Sequence, residues 1–448
     1  MRTMRRIETV LPYDEEKIIR HLEKMARKGW LLSEINKFFW TYRRVEPSDL
    51  KFSTTWCSHG SEYNPEPTKE QQILWDYCKE AGWTMAAEFG QMQILYSEEE
   101  NPMPVETDEV VKLGLIHQAM KKTYIPGILA GMLLVIVSGW RICSMFIARP
   151  FNWLLSDVNW IFLSALLFLG LHHLLNLSSY FLWYVRSERR VKRGELCVKK
   201  KTEGFVSGFC LVAGTALLLW EIFLLVGVRE ALTFILAAVL LAVLLEGLKA
   251  LFRKLKLSKE VNQVLTVICF AILFGIFVFG MVKGIVTFDR MDSVEKNLHT
   301  AEELPLVIED MRETEVDDYF YGLQEKESIF YHWVWGYQRR KEPTLLSDLG
   351  ENELEYRIVE VKIPLGYDLC LASFLGEEVL QEASERWLKI DAESWGADTV
   401  YRNHYTSDEN RVYLTEYVIC RENRIVQLRF DWEPTEEELQ VAAKKLVN

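Results

Sequence analysis

Residues 205–226 read FVSGFCLVAGTALLLWEIFLLV, with Glu221 as the lone ionisable side chain. A run of this kind is long enough to cross a bilayer, whose hydrocarbon of about 30 Å takes about 20 apolar helical residues. Four similar runs lie around it: Tyr124–Ile147, Trp160–Val185, Ala231–Phe252 and Val264–Phe288. Soluble helices rarely sustain such runs, and five in succession predict an α-helical membrane core over residues 124–288. Tyr124, Trp153, Trp160, Trp183, Tyr184 and Phe288 fall near the ends of the runs. Their rings are apolar while an N–H or O–H prefers water, which suits the headgroup zone. Phe151–Asp157 reads as an interfacial lead-in to the second span.

The average composition conceals this core. The chain has 448 residues, 49% of them apolar, and a mean hydropathy near zero. That mean blends an apolar centre with two charged flanks. From Asp289 onward there are 18 Lys+Arg and 36 Asp+Glu, a net −18 against −12 for the whole chain, so the preceding residues carry +6. Such asymmetry points to two compartments. The N-terminal MRTMRRIETVLPYDEEK has basic residues with no apolar stretch behind them, so no secretory signal is expected there.

The loops set an expected orientation. RSERRVKRGELCVKKK after the second span carries eight Lys+Arg, and RKLKLSKE after the fourth carries four. The first and third loops offer Arg149 and Arg229. Because positive loops stay inside, the N-terminal domain (1–97) is expected in the cytoplasm and the C-terminal domain (289–448) outside. Four residues inside spans draw attention, since charge or polarity there is costly. Arg141 and Glu221 lie at matching depths in two outward-running spans. Either they form an ion pair near the outer leaflet, or Arg141 snorkels alone to the surface. His172 and His173 are adjacent on one helix and point about 100° apart, which suits helix–helix hydrogen bonding better than a shared metal.

Residues 1–97 show an internal repeat. Arg5–Leu11 reads as a strand, Asp14 caps a helix to about Lys28, Gly29 ends it, and strands follow near Leu31–Ile35 and Phe39–Val45. The pattern restarts with a strand at Leu50–Cys57. Thr68 and Gln71 form a capping box before a second helix. Gly82-Trp83 ends that helix, and two more strands follow. The Gly29-Trp30 and Gly82-Trp83 pairs align the halves, predicting a duplicated strand–helix–strand–strand domain. SEEENPMPVETDE is a linker, and Glu109–Lys122 a lead-in helix to the first span, together covering 98–123.

EEKIIRHLEKMARKGWLLSEINKFFWTYRRVEPSDLKFS, followed by DYCKEAGWTMAAEFGQMQILYSEEE, resembles a family of Gram-positive bacterial proteins known as domain of unknown function 2812 (DUF2812). The cues are Ala26–Trp30, Arg44–Pro47, Ala81–Trp83 and the later Pro104 with Thr107–Glu109. The resemblance covers about residues 5–123. It implies a cytoplasmic module in a membrane-linked regulatory pair with small winged-helix regulators of the PadR type. It implies no catalytic residues.

The C-terminal region reads as an acidic α+β domain. Strands are expected at Ser328–Tyr337, Glu355–Ile363, Thr399–His404, Arg411–Cys420 and Arg424–Trp432, with Arg421–Arg424 as a tight hairpin turn. Helices are expected at Glu377–Ile390 and Glu433–Leu446. The side chains of Tyr331, Trp333, Trp335 and Tyr337 share one strand face, as a ligand wall or as a packed sheet face. Cys370 and Cys420 form one disulfide if the domain is outside, or remain two separate buried thiols. The negative charge argues against a direct nucleic-acid partner.

There is no dinucleotide fingerprint, phosphate-binding loop, metalloprotease pair, nucleophile elbow or kinase signature. No cofactor and no enzymatic activity are expected. The expected partners are the lipid bilayer, a PadR-type regulator and an unidentified ligand. The leading expectation is a membrane sensor or regulator. The alternative is an accessory component of a transport or envelope-stress system.

Overall fold

The computed structural model describes residues 2–8, 13–36, 39–198, 205–295, 299–314, 319–340, 353–376, 386–407 and 410–447. They form two bodies. The first holds residues 1–136, 166–216 and 228–281, and the second holds 137–165, 217–227 and 282–448.

In the first body, β1 (Thr3–Arg6), α1 (Glu15–Arg27), β2 (Trp30–Ile35) and β3 (Trp40–Arg44) are followed by β4 (Lys51–Trp56), α2 (Lys69–Glu80), β5 (Thr84–Phe89) and β6 (Met92–Ser97). The strand expected to reach Leu11 ends at Arg6, and residues 9–12 lie outside the described ones. The sheet orders are β1-β3-β2 and β4-β6-β5, all antiparallel. Both halves thus share element order and strand order. Leu32 pairs with Tyr42 as Met85 pairs with Leu95, and Ile35 pairs with Trp40 as Glu88 pairs with Gln93. Each hairpin has a bulge between those pairs, four residues past its glycine. Gly29 and Gly82 both close a helix at φ +78° and +79°, a left-handed conformation that costs a residue with a Cβ more than glycine.

The helix α1 starts where the Asp14 side chain accepts from Lys17 N, and Ile18, Leu22, Met25 and Ala26 line its buried stripe. Each fully buried aliphatic side chain of this size stabilises by about 1.5–3 kcal/mol. The core they enter runs on into α3 (Glu109–Lys122) through Leu113, Ile116, Ala119 and Met120, and into the end of α6 (Asp157–Val191) through Tyr180 and Trp183. Tyr13 packs against Tyr124, Tyr180 and Trp183 at 5.1–5.6 Å.

Among the described residues, five helical stretches are long and apolar enough to span a membrane. They lie in α4 (Tyr124–Ala148) with α3 before it, α6, α7 (Phe205–Val226), α8 (Val228–Lys254) and α9 (Lys259–Glu295), as the five runs predict. The segment expected as an interfacial lead-in is a short helix, α5 (Pro150–Leu154), which belongs to the second body.

The rest of the second body is a seven-stranded antiparallel sheet in the order β10-β11-β12-β13-β9-β8-β7. Its strands are β7 (Tyr319–Glu327), β8 (Tyr331–Arg340), β9 (Leu354–Val361), β10 (Trp387–Ile390), β11 (Thr399–Ser407), β12 (Asn410–Arg421) and β13 (Arg424–Phe430). The hairpin turn at Arg421–Arg424 is present, with Glu422 at φ +49°. One face buries Tyr356, Val400, Tyr417, Val426, Leu428 and Phe430 against α11 (Glu436–Leu446). A helix is found at α10 (Tyr367–Phe374). The expected helix Glu377–Ile390 is corrected at its end: Trp387–Ile390 is a strand laddered onto β11, because pairing with Val400–Asn403 satisfies its backbone. Residues 377–385 lie outside the described ones.

Candidate functional site

The second face of the C-terminal sheet carries the larger described cavity, about 410 Å3. Strand pleat and register build its floor as rows running across four strands. One row is Gln324 on β7, Trp335 on β8, Arg357 on β9 and Gln427 on β13. The next is Lys326, Trp333, Val359 and Ile425. Val359 and Ile425 are fully buried, whereas Gln324, Lys326, Trp333, Trp335, Arg357 and Gln427 line the cavity. Its remaining walls are Ser373 and Phe374 at the end of α10, with Phe151, Asn152 and Leu155 from α5 and its end.

The walls are fixed by apolar packing. Phe151 lies 5.0 Å from the Tyr331 ring and 5.6 Å from Phe374. The first turn of α6 joins the same assembly. Asp157 accepts a 3.0 Å hydrogen bond from Ile329 N, and Trp160 stacks on Phe330 at 5.9 Å. Trp153 and Trp160 meet edge to face at 5.0 Å.

Polar groups on the floor are partly committed. Trp335 Nε1 donates to Glu355 at 2.9 Å, and Arg357 donates to Glu355 at 3.3 Å and to Gln427 Oε1 at 3.4 Å. Lys326 sits over the Trp333 ring at 5.5 Å and forms no ion pair among the described residues. The lining thus offers indole faces, amides, a hydroxyl and two cations, with no carboxylate among its residues. Such a surface can hold a small polar or anionic molecule by stacking and charge. Trp333 and Trp335 are accordingly cavity wall, while Tyr331 is packed core. The sequence reading missed Lys326 and Gln324 because β7 was not expected. Alternation on YFYGLQEKE is weak, and only its pairing with β8 marks it as a strand.

The intramembrane residues do other things. His172 Nδ1 donates to Ser207 O on α7 at 2.8 Å, and Asn176 Nδ2 reaches His172 Nε2 at 3.1 Å. His173 faces α4 instead, where a Cβ on Gly131 would fall onto its imidazole ring. The pair therefore joins two different neighbours, as the angle between adjacent side chains requires. Arg141 is exposed and Glu221 is half-buried. Among the described residues no ion pair joins them.

Cys370 on α10 and Cys420 on β12 are both buried. The Cys420 thiol is engaged by the Tyr367 hydroxyl, one turn before Cys370 on α10. Burial pushes the Cys420 thiol up to about 11, so little of the thiolate needed for oxidation forms near neutral pH. Among the described residues no group of three or more His, Cys, Asp or Glu could hold a metal ion.

No curated protein and no solved structure matches the chain. Residues 14–128 match the family model described as protein of unknown function (DUF2812), and this N-terminal quarter of the chain is therefore a DUF2812 domain.

Proposed function

We propose that the protein is a non-enzymatic membrane sensor. Its C-terminal domain, outside the cell, takes up a ligand in the sheet cavity. Its N-terminal domain, in the cytoplasm, binds a protein partner, for which the family resemblance suggests a PadR-type regulator. We infer also that the halves of the N-terminal domain descend from one repeated unit, which their shared register and bulges support.

One observation supports this orientation: the N-terminal domain holds the second and fourth connections between spans and the C-terminal domain the first. In the first body, Cys197 and Val198 after α6 pack on the N-terminal core. The start of α9 and the end of α8 hold the 62–66 loop, with Lys249 2.9 Å from Glu62, Lys256 2.7 Å from Glu66, and Asn262 donating to Tyr63 O at 3.0 Å. In the second body the C-terminal sheet holds α5, the connection after α4. Five spans with a domain on each side require this alternation. It agrees with the distribution of Lys and Arg, a separate line of information.

Protease treatment of intact cells carrying a C-terminal tag tests the reading. Loss of the tag with the N-terminal domain protected is expected. A protected tag in cells whose protease is shown to be active would place both domains inside and end the outside-sensing reading.

A further inference from the structure

We infer that the sheet cavity binds a phosphate-bearing anion, either the headgroup of an anionic phospholipid or a free phosphate ester. This rests on the reading of the C-terminal domain as the ligand-binding one, and it names the ligand class.

The argument begins with charge. From Asp289 onward the chain has twice as many acidic as basic residues. The cavity inverts that ratio, since Lys326 and Arg357 line it and no carboxylate does. Lys326 has no ion pair among the described residues, and its ammonium is held against the Trp333 ring. Arg357 has a carboxylate neighbour, but Glu355 also accepts from Trp335 and Arg339. A positive spot maintained inside a strongly negative domain attracts one class of small ligand, an anion, while the surrounding field repels anions from the rest of the surface.

The shape adds the second part. Phe151 and Leu155 bring apolar surface to the cavity from the short α5, which connects two membrane-spanning helices. Trp153 in α5 and Trp160 in the first turn of α6 suit the headgroup zone. A molecule with an anionic head and an apolar neighbour group fits both walls. The volume of about 410 Å3 is within the range of small-molecule sites, roughly 300–1,000 Å3. Phosphate oxygens accept from the ammonium and the guanidinium together, and Asn152 and Gln324 supply amides for ester or hydroxyl oxygens.

The test uses the full chain in nanodiscs of phosphatidylcholine, titrated calorimetrically with three soluble probes. These are dihexanoyl phosphatidylglycerol below its micelle concentration, dihexanoyl phosphatidylcholine, and glycerol phosphate without acyl chains. Saturable binding of the phosphatidylglycerol probe but not of the phosphatidylcholine probe is expected, weakened about tenfold in Lys326→Gln, the change worth about 1.4 kcal/mol. Trp333→Leu provides a second variant, expected to weaken binding without altering charge. Equal binding of glycerol phosphate assigns the site to free phosphate esters, and its failure beside a bound lipid probe assigns it to a headgroup. Equal affinity for the two lipid probes, no binding of any probe, or indifference to Lys326→Gln overturns the proposal. Phosphate binding that leaves partner capture by the N-terminal domain unchanged would remove the sensor reading and keep the ligand class.

Discussion

Glu438 shows how a single buried carboxylate is held in its charged form. Burial pushes its carboxyl up, but Arg312 at 2.6 Å, the Thr435 N–H at 2.7 Å and the Trp432 indole outweigh that and hold it below the usual carboxylate range. Its contribution to stability is therefore present above the unfolded-state value, about 4.3, and lost as pH falls through the lower folded value. Glu438→Gln is expected to lower stability by about 2 kcal/mol at pH 7, from the lost charged hydrogen bond to Arg312, while the cap persists because Gln also completes a capping box. Thermal melts of both proteins should show the gap closing as pH falls below about 4; a gap that stays constant to pH 3 would refute the account. The local cap is legible in the sequence, because Thr435 and Glu438 stand three apart before an apolar-spaced run. The partner Arg312, 126 positions away, is brought there only by the fold.

At the scale of elements, the apolar runs were readable and most of their boundaries close. Expected Phe205–Val226 coincides with α7, and Glu109–Lys122 with α3. Length and hydrophobicity suffice because a span must satisfy its backbone within itself. Sheets are different, since their hydrogen bonds go to distant strands. Hence β7 went unread, and β10 was taken for part of a helix. The cavity suffered from the same cause: Trp333 and Trp335 could be placed on one face, but which residues stood beside them depended on registers between strands. Helix packing left one readable cue unused. Gly127 and Gly131 in α4 have the small-x-x-x-small spacing that lets helices approach, and Gly131 is where His173 of α6 lies. Gly131→Ala should cost about 1–3 kcal/mol by overpacking, measured as a lower melting temperature in detergent. Adding His173→Ala should recover most of that loss, and a double variant no better than the single one would show that the contact is not the cause.

At the scale of the whole molecule, the first body is soluble sheet and membrane helix joined in one core. Lys249 is a keystone of it, 92% buried and paired with both Glu62 and Glu246, at 2.9 and 2.6 Å. Lys249→Met would strand that pair of acids in a half-buried site, at a cost of about 3 kcal/mol. The expected readout is faster proteolytic cleavage between residues 58 and 67 in the purified protein, and unchanged cleavage would mean the loop is held by other contacts. Glu246 stands three residues from Lys249, a spacing that a local helical rule supplies. Glu62 was out of reach of any local rule, being 187 positions distant.

Within the first body, α6 runs as one helix from His173, beside Gly131 of α4, to Trp183, beside Tyr13. A helix also keeps count. Each residue adds about 100° of rotation, so the direction of Trp183 relative to His173 is set by how many residues separate them. Replacing a lipid-facing leucine between them leaves that direction alone. Removing it would swing one end by more than a quarter turn, taking either His173 from Gly131 or Trp183 from Tyr13. In α6, the number of residues is under tighter constraint than their identity.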